Sequence, residues 1–230
     1  IPVFRKLRIA IISTGDELKQ PGVELNHGEI YESNSFGLSG LVRWMGHEPI
    51  RMHCVGDTLE DVREILNQAS ASSDLIITSG GVSMGDWDLV RKIMEDEGDL
   101  HFWRVKLRPG SPPLFGLWNN TPIFGLPGNP VSSHVVFRML VAPWIRHTTN
   151  TNGPIEPRAI AKLATDVKST KDCLTLRRVS LKIENDFVIA SQEVHQGSGN
   201  LASMALSEGM VILQPGRQYS VGDVVEVMFL

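Results

Sequence analysis

Apolar positions along this chain fall into two regimes. Up to about residue 146, short continuous apolar runs alternate with stretches in which apolar residues recur every three or four positions, the pattern of buried strands alternating with amphipathic helices. Residues 7–12 (Leu-Arg-Ile-Ala-Ile-Ile) predict a first strand, and 34–45 a helix with Leu38, Leu41, Val42 and Met45 on one face, closed by Gly46. Residues 49–55 predict a second strand. Thr58, with Asp61 three positions on, predicts the capped start of a helix carrying Val62, Ile65, Leu66 and Ala69. Leu75-Ile76-Ile77 is a third strand, 89–97 a helix, 101–107, 114–117 and 122–126 further strands, and Asn129-Pro130 the cap and first turn of a last helix running through Val135, Val136, Met139 and Leu140.

After Trp144 the pattern changes. Thr148-Thr149-Asn150-Thr151-Asn152-Gly153-Pro154 is a polar linker, and beyond it β-like runs recur at 158–163, 175–182, 187–191, 210–213 and 221–229 with no strong helix. The expected fold is α/β: a mainly parallel three-layer domain over residues 1–147, then a small all-β, barrel-like domain over 148–230.

Three of the predicted strands end in loops of one kind. The first runs into Ser13-Thr14-Gly15-Asp16-Glu17-Leu18, the third into Thr78-Ser79-Gly80-Gly81-Val82-Ser83-Met84-Gly85-Asp86-Trp87-Asp88, and a later one into Gly125-Leu126-Pro127-Gly128-Asn129-Pro130. Glycines let backbone N–H groups close on a phosphate or oxyanion, and acids beside an anion call for a bridging cation such as Mg²⁺. Ligands of open parallel sheets sit beyond the carboxyl ends of the strands, so these loops describe one site. A Gly-Gly turn after a strand also occurs with no ligand, and Asp57 beside Thr58 also suits a helix N-terminus.

Composition narrows the classes. With 230 residues, 42% of them hydrophobic, the chain can bury one large core or two smaller ones, and its net charge of -4 argues against general nucleic-acid binding. No apolar run is long enough for a transmembrane helix, so no membrane partner is expected. Cys54 and Cys173 are too few for a disulfide framework, which points to a reducing, cytoplasmic setting.

The motifs together resemble the molybdopterin molybdotransferases, the MoeA proteins and the gephyrin E domain. The matches are Ser13-Thr14-Gly15-Asp16-Glu17-Leu18, Ser33-Asn34-Ser35, Val55-Gly56-Asp57, Ser79-Gly80-Gly81-Val82-Ser83 with Gly85 and Asp88, Arg108-Pro109-Gly110, Gly125 to Ser132 and Gln196-Gly197-Ser198-Gly199. The resemblance implies Mg²⁺-dependent insertion of molybdate into adenylylated molybdopterin with release of AMP. By position it implies Glu17, Asp57 and Asp88 as catalytic acids holding the metal, with Arg104 and Arg108 standing where the family has lysines. It implies pterin contacts from Thr14, Gly15, Ser79, Gly80, Gly81, Ser83, Gly85, Pro127, Gly128, Asn129, Pro130 and Ser132, and from Arg178 and Ser203 in the β domain. Ser111 departs from a family lysine and removes a positive charge. The resemblance further implies two upstream domains, a homodimer in the full-length protein, and the molybdopterin adenylyltransferase as a partner. That adenylyltransferase itself, which shares the α/β fold, and a non-catalytic scaffold module are the alternative functions; neither accounts for three acids around an anion loop followed by a β domain.

Overall fold

The computed structural model describes residues 3–55, 58–82, 88–192 and 195–230. The chain divides into two compact units, Ile1–Val105 with Pro112–Gly153, and Lys106–Ser111 with Pro154–Leu230.

In the first unit the order is β1 (Arg8–Thr14), β2 (Leu18–Lys19), β3 (Ile30–Tyr31), α1 (Asn34–Trp44), β4 (Glu48–Val55), α2 (Leu59–Ser72), β5 (Leu75–Ser79), α3 (Leu89–Asp96) and β6 (Asp99–Trp103). After β7 (Leu107–Arg108), a strand of the second unit, come β8 (Leu114–Trp118), β9 (Thr121–Leu126), α4 (Pro130–Val136) and α5 (Ala142–Thr148). The main sheet has the order β4-β1-β5-β9-β8-β6. Its first four strands are parallel and β8 runs antiparallel to both of its neighbours, β9 and β6, so the sheet is mixed and its parallel half carries the glycine loops. Helices α2 and α3 cover one face, and Ala10, Ile12, Ile76, Val62, Leu66, Ile93 and Met94 form part of that core. α1 packs on β1, β4 and α4. Ile9, Ala10, Ile11 and Ile12 are all fully buried, as an uninterrupted apolar run requires of a strand covered on both sides.

The local signals act as read. Thr58 Oγ1 accepts the Asp61 N–H at 3.1 Å and its hydroxyl donates back to the Asp61 carboxylate. Three expectations change. The strand foreseen over 101–107 is broken at Arg104, whose left-handed φ of 76° cannot continue a ladder. The last helix does not run regularly through Leu140: Phe137–Val141 forms a wider π-type turn, just before Pro143, which lacks an N–H to donate. Asn129 occupies the N-cap position in extended backbone, yet its side chain makes no capping bond.

The second unit holds β7, β10 (Arg158–Leu163), β11 (Val167–Lys168), β12 (Leu174–Glu184), β13 (Phe187–Ser191), α6 (Leu201–Ala205), β14 (Gly209–Leu213), β15 (Gln218–Tyr219) and β16 (Val224–Phe229). The order β13-β10-β16-β14-β12, with β13 pairing back to β12, closes a barrel around Ala161, Leu163, Val179, Val211, Leu213, Val225 and Val227. Asn185 and Asp186 take positive φ in the β12–β13 hairpin, the primed turn that matches strand twist. The short helix α6 was not foreseen; Asn200 caps it by accepting the Ser203 N–H at 3.0 Å. Among the described residues no helix is long and apolar enough to cross a membrane.

Gly40 lies in an exposed helix interior with open space around its missing Cβ, whereas a Cβ on Gly37 would strike the His134 ring. Gly40→Ala should therefore raise stability by about 0.5–1 kcal/mol and Gly37→Ala should lower it, both read from urea midpoints. Burial against α1, reinforced by Arg138, holds the His134 pKa down to about 4 from 6.5. Between those values the unfolded chain binds the extra proton, so stability falls as pH drops from 6.5 towards 4 and is level above. The cost is about 1–2 kcal/mol at pH 5, and His134→Gln should flatten that part of the urea-midpoint profile.

Candidate functional site

The strands β1, β5 and β9 stop at one level. Ser13 is in register with Ser79, and Ser79 with Leu126, so the residues that follow, Thr14 at the last position of β1, Gly80 and Pro127, lie at one level at the strand ends. The Gly80 N–H donates to the Leu126 carbonyl at 3.0 Å, which ties the second loop to the third. A Cβ on Gly80 would lie 2.7 Å from the Thr14 carbonyl oxygen and 2.8 Å from its Oγ1, and Gly80 holds φ of +105°. A Cβ on Gly128 would meet Gly80 Cα at 3.5 Å. Only glycine at position 80 permits this convergence.

Asn34, at the start of α1, bridges the loops from one side. Its Nδ2 donates to Ser79 Oγ and to the Gly128 carbonyl, both at 2.7 Å. Beneath it lies Glu32, only 3% exposed, whose carboxylate accepts from Ser13 Oγ (2.8 Å), the Ser35 N–H (2.7 Å) and Ser35 Oγ (2.6 Å). Ser33, at the N-cap, makes no side-chain cap, and Glu32 does that work instead. Arg51 Nε donates in turn to Ser35 Oγ at 3.1 Å, with its guanidinium over the Phe36 ring. Glu32 and Asn34 were not singled out as site residues in the sequence. An acid and an amide placed two apart at a helix start, facing the glycine loops, were the available signal. Among the described residues, Thr14 Oγ1, Asn34 Oδ1 and Thr78 Oγ1 are buried and find no hydrogen-bond partner, so the junction carries unused polar capacity.

Thr14, Gly15, Ser79, Gly80, Gly81 and Gly128 thus gather at one edge. Glu17 folds back over Gly15, where a Cβ would meet its Oε2 at 2.6 Å. Asp88 opens α3, and the Arg91 N–H of that helix donates to the Gly81 carbonyl at 3.0 Å. Pro127 continues β9 into the third loop; Asn129 and Pro130 begin α4, where Ser132 is buried. Asp57, Ser83, Gly85, Asp86 and Trp87 lie outside the described residues. Arg104 is exposed, its guanidinium carbon 4.5 Å from the centroid of the Trp103 ring.

Arg108, Arg178 and Ser203 belong to the second unit. Arg178 is 2% exposed and its Nη2 donates to the carbonyls of His195 (2.6 Å) and Gly197 (3.1 Å), while its backbone pairs with the Gln196 amide. Burial, with Arg177 beside it, holds its guanidinium pKa below the usual value. Ser203 donates to the Asn200 carbonyl at 2.8 Å. Both side chains hold the fold of the Gln196-Gly197-Ser198-Gly199 region in place. Among the described residues no three His, Cys, Asp or Glu side chains gather as a protein-built metal cage would. Mg²⁺ does not demand such a cage, since one or two carboxylates with substrate phosphates commonly suffice, and Glu17 and Asp88 are donors of that kind.

A family model described as a probable molybdopterin binding domain matches residues 10–147, and one described as the MoeA C-terminal region (domain IV) matches 160–230. The chain belongs to the MoeA family. It is 32% identical over 230 residues to a molybdopterin molybdenumtransferase of Haemophilus influenzae, covering 99% of this chain and 57% of that protein. It is 34% identical over 234 residues to molybdopterin molybdenumtransferase 2 of Mycobacterium tuberculosis, covering 97% and 58%. A crystal structure of the MoeA protein of Pyrococcus horikoshii is similar at a TM-score of 0.84 and 30% identity, over 99% of this chain and 55% of that one. The chain spans a little over half the length of these relatives. A MoeA-family α/β domain followed by its β-rich C-terminal region accounts for both units.

Gly80→Ala is the sharpest test of the loop junction. The added methyl strikes the Thr14 backbone carbonyl first, which cannot swing aside as a side chain can. We expect a loss of about 2–4 kcal/mol in urea unfolding, against about 1–2 for Gly22→Ala, which has the same sign of φ but open space.

Proposed function

We propose that this chain provides the pterin-binding part of a molybdenum-cofactor transferase, one that inserts molybdate into adenylylated molybdopterin and releases AMP. The observation that carries the reading is the convergence of three glycine-bearing loops on Gly80 beyond the carboxyl ends of β1, β5 and β9, with Glu17 and Asp88 on those same loops. Membership of the MoeA family supports the choice of pterin and metal oxyanion over other phosphate-bearing ligands.

In this reading the backbone around Gly81 and Gly128 receives the phosphate portion of the substrate, because glycine, with no Cβ, allows a ligand within contact of the main chain. Asn34 fixes the distance between the second and third loops. Arg104 and Arg108 neutralise the pterin phosphate or the incoming molybdate; as guanidiniums they bind oxyanions as a fork where an ammonium acts as a point charge. Pro127, Asn129, Pro130 and Ser132 shape the third wall, and Thr14, Gly15 and Ser79 the floor. By their place in the sequence Ser83 and Gly85 are assigned further pterin contacts, and so are Arg178 and Ser203 of the second unit. Glu17, Asp57 and Asp88 hold Mg²⁺, which when bound offsets negative charge developing on the phosphoanhydride. A homodimer, delivery of substrate by the molybdopterin adenylyltransferase and a cytoplasmic setting complete the proposal.

In the full-length protein, Asp57→Ala and Asp88→Ala should each lower molybdate-dependent AMP release from adenylylated molybdopterin by about 100-fold or more, with the unfolding midpoint nearly unchanged. Turnover at the wild-type rate in both variants overturns the metal-holding assignment. Absence of molybdate-dependent AMP release by the wild-type protein overturns the function.

A further inference from the structure

Trp103 closes β6 and has no part in the chemistry described so far. Its indole N–H donates to the Val82 carbonyl at 3.0 Å, and its half-buried ring packs against the core beneath α3. The guanidinium carbons of Arg91 and Arg104 lie 4.1 and 4.5 Å from the centroid of this ring, both within the range of a cation–π contact. Arg91 is fixed independently, its main-chain N–H on the Gly81 carbonyl at 3.0 Å and its side chain on Glu95 at 3.0 Å. Two successive carbonyls of the glycine loop, those of Gly81 and Val82, are therefore tied, one by α3 and the other by Trp103. Because the N–H of a trans peptide points opposite to its carbonyl, drawing the Gly81 carbonyl towards α3 turns the Val82 N–H the other way.

Arg104 sits on its own neighbour for a backbone reason. In an extended strand adjacent side chains point to opposite faces, so residues 103 and 104 could not meet. The left-handed conformation of Arg104, held by its N–H on the Pro113 carbonyl at 2.8 Å, ends the strand and allows its guanidinium onto the Trp103 ring. That conformation is unfavourable for a residue with a Cβ, and it is kept here at a position bearing a cation.

The geometry points to Trp103 as a positioning residue. It hooks the glycine loop through Val82 and holds the Arg104 guanidinium beside that loop, so that charge and cradle meet the phosphate of the ligand as one unit. This rests on the reading of the loops as the pterin-phosphate site. A flat guanidinium covers an indole face better than an ammonium does, which gives the arginine at 104 a specific use in this chain.

The test uses the full chain with AMP and Mg²⁺ as the probe, followed by calorimetry. Trp103→Leu should weaken AMP binding about tenfold, and Trp103→Phe, which keeps a ring but loses the hook, about two- to threefold. The Trp103→Leu and Arg104→Ala losses should not add in the double variant. Binding of Trp103→Leu within twofold of wild type, or additive losses, overturns the proposal. If Trp103→Leu does not fold, Arg104→Lys decides: a loss of about fivefold supports the stack and no loss overturns it. A ligand-free measurement separates this from the site reading. Ring current should displace the Arg104 side-chain proton resonances upfield in wild type and Trp103→Phe. If wild type binds no AMP, the site reading fails, and absence of the upfield displacement would overturn the positioning role on its own.

Discussion

Three strand ends can share one ligand only if their loops approach closer than side chains allow, and in this protein the approach is set at Gly80. Its Cα lies against Gly128, its N–H is spent on Leu126, and the direction a Cβ would take is filled by Thr14. The first two belong to β9 and the loop that follows it, the third to β1. Any residue but glycine would have to push β1 from β5 or twist the loop out of its left-handed conformation, and the parallel register leaves little slack for either. The rest of the site inherits its spacing from this contact.

A junction made by close backbone approach needs a lateral tie, which Asn34 provides by giving both amide protons to neighbouring loops. The tie is stiffened from below by a buried carboxylate. Burying Glu32 is unfavourable unless its lone pairs are satisfied, and three donors from Ser13 and Ser35 do so. Because Ser13 is on β1 and Ser35 on α1, the same network fixes where α1 starts relative to the sheet, and with it where Asn34 points. Stability and site geometry are here one set of hydrogen bonds, so a change at Glu32 acts on both.

What was legible in the sequence was what is encoded locally. The apolar run at 9–12, the Thr58–Asp61 cap and the Ser-Gly-Gly turn after β5 each carry their structure in neighbouring residues. That β4, β1, β5 and β9 run parallel also followed, because helices between apolar strands leave few other connections, while their lateral order was not read. The break at Arg104 did not: nothing in His-Phe-Trp-Arg-Val marks a left-handed residue, and the conformation is held by Pro113 from a later segment. The π-type turn before Pro143 and the short α6 were missed because a proline and five residues give weak periodicity. Glu32 was missed because its partners are 19 residues before it and three after, a pairing that only the fold creates.

The path of the chain between 104 and 112 limits what spacing in a sequence can say about charge. Arg104 and Arg108 are four residues apart and invite treatment as one basic patch. Yet the chain leaves the first unit at Val105, pairs Leu107 and Arg108 in parallel with Leu174 and Thr175 of β12, and returns at Pro112. Arg104 is anchored to the α/β unit by Pro113 and Trp103, Arg108 to the barrel by a strand pairing. Each cation is thus carried by a different hydrophobic core. A substitution that loosens the barrel near Thr175 acts on Arg108 and leaves the Trp103 stack intact, while one that loosens the sheet at β6 does the reverse. Two arginines that look interchangeable by position therefore answer to different parts of the fold, and each has to be assigned its role in oxyanion binding separately.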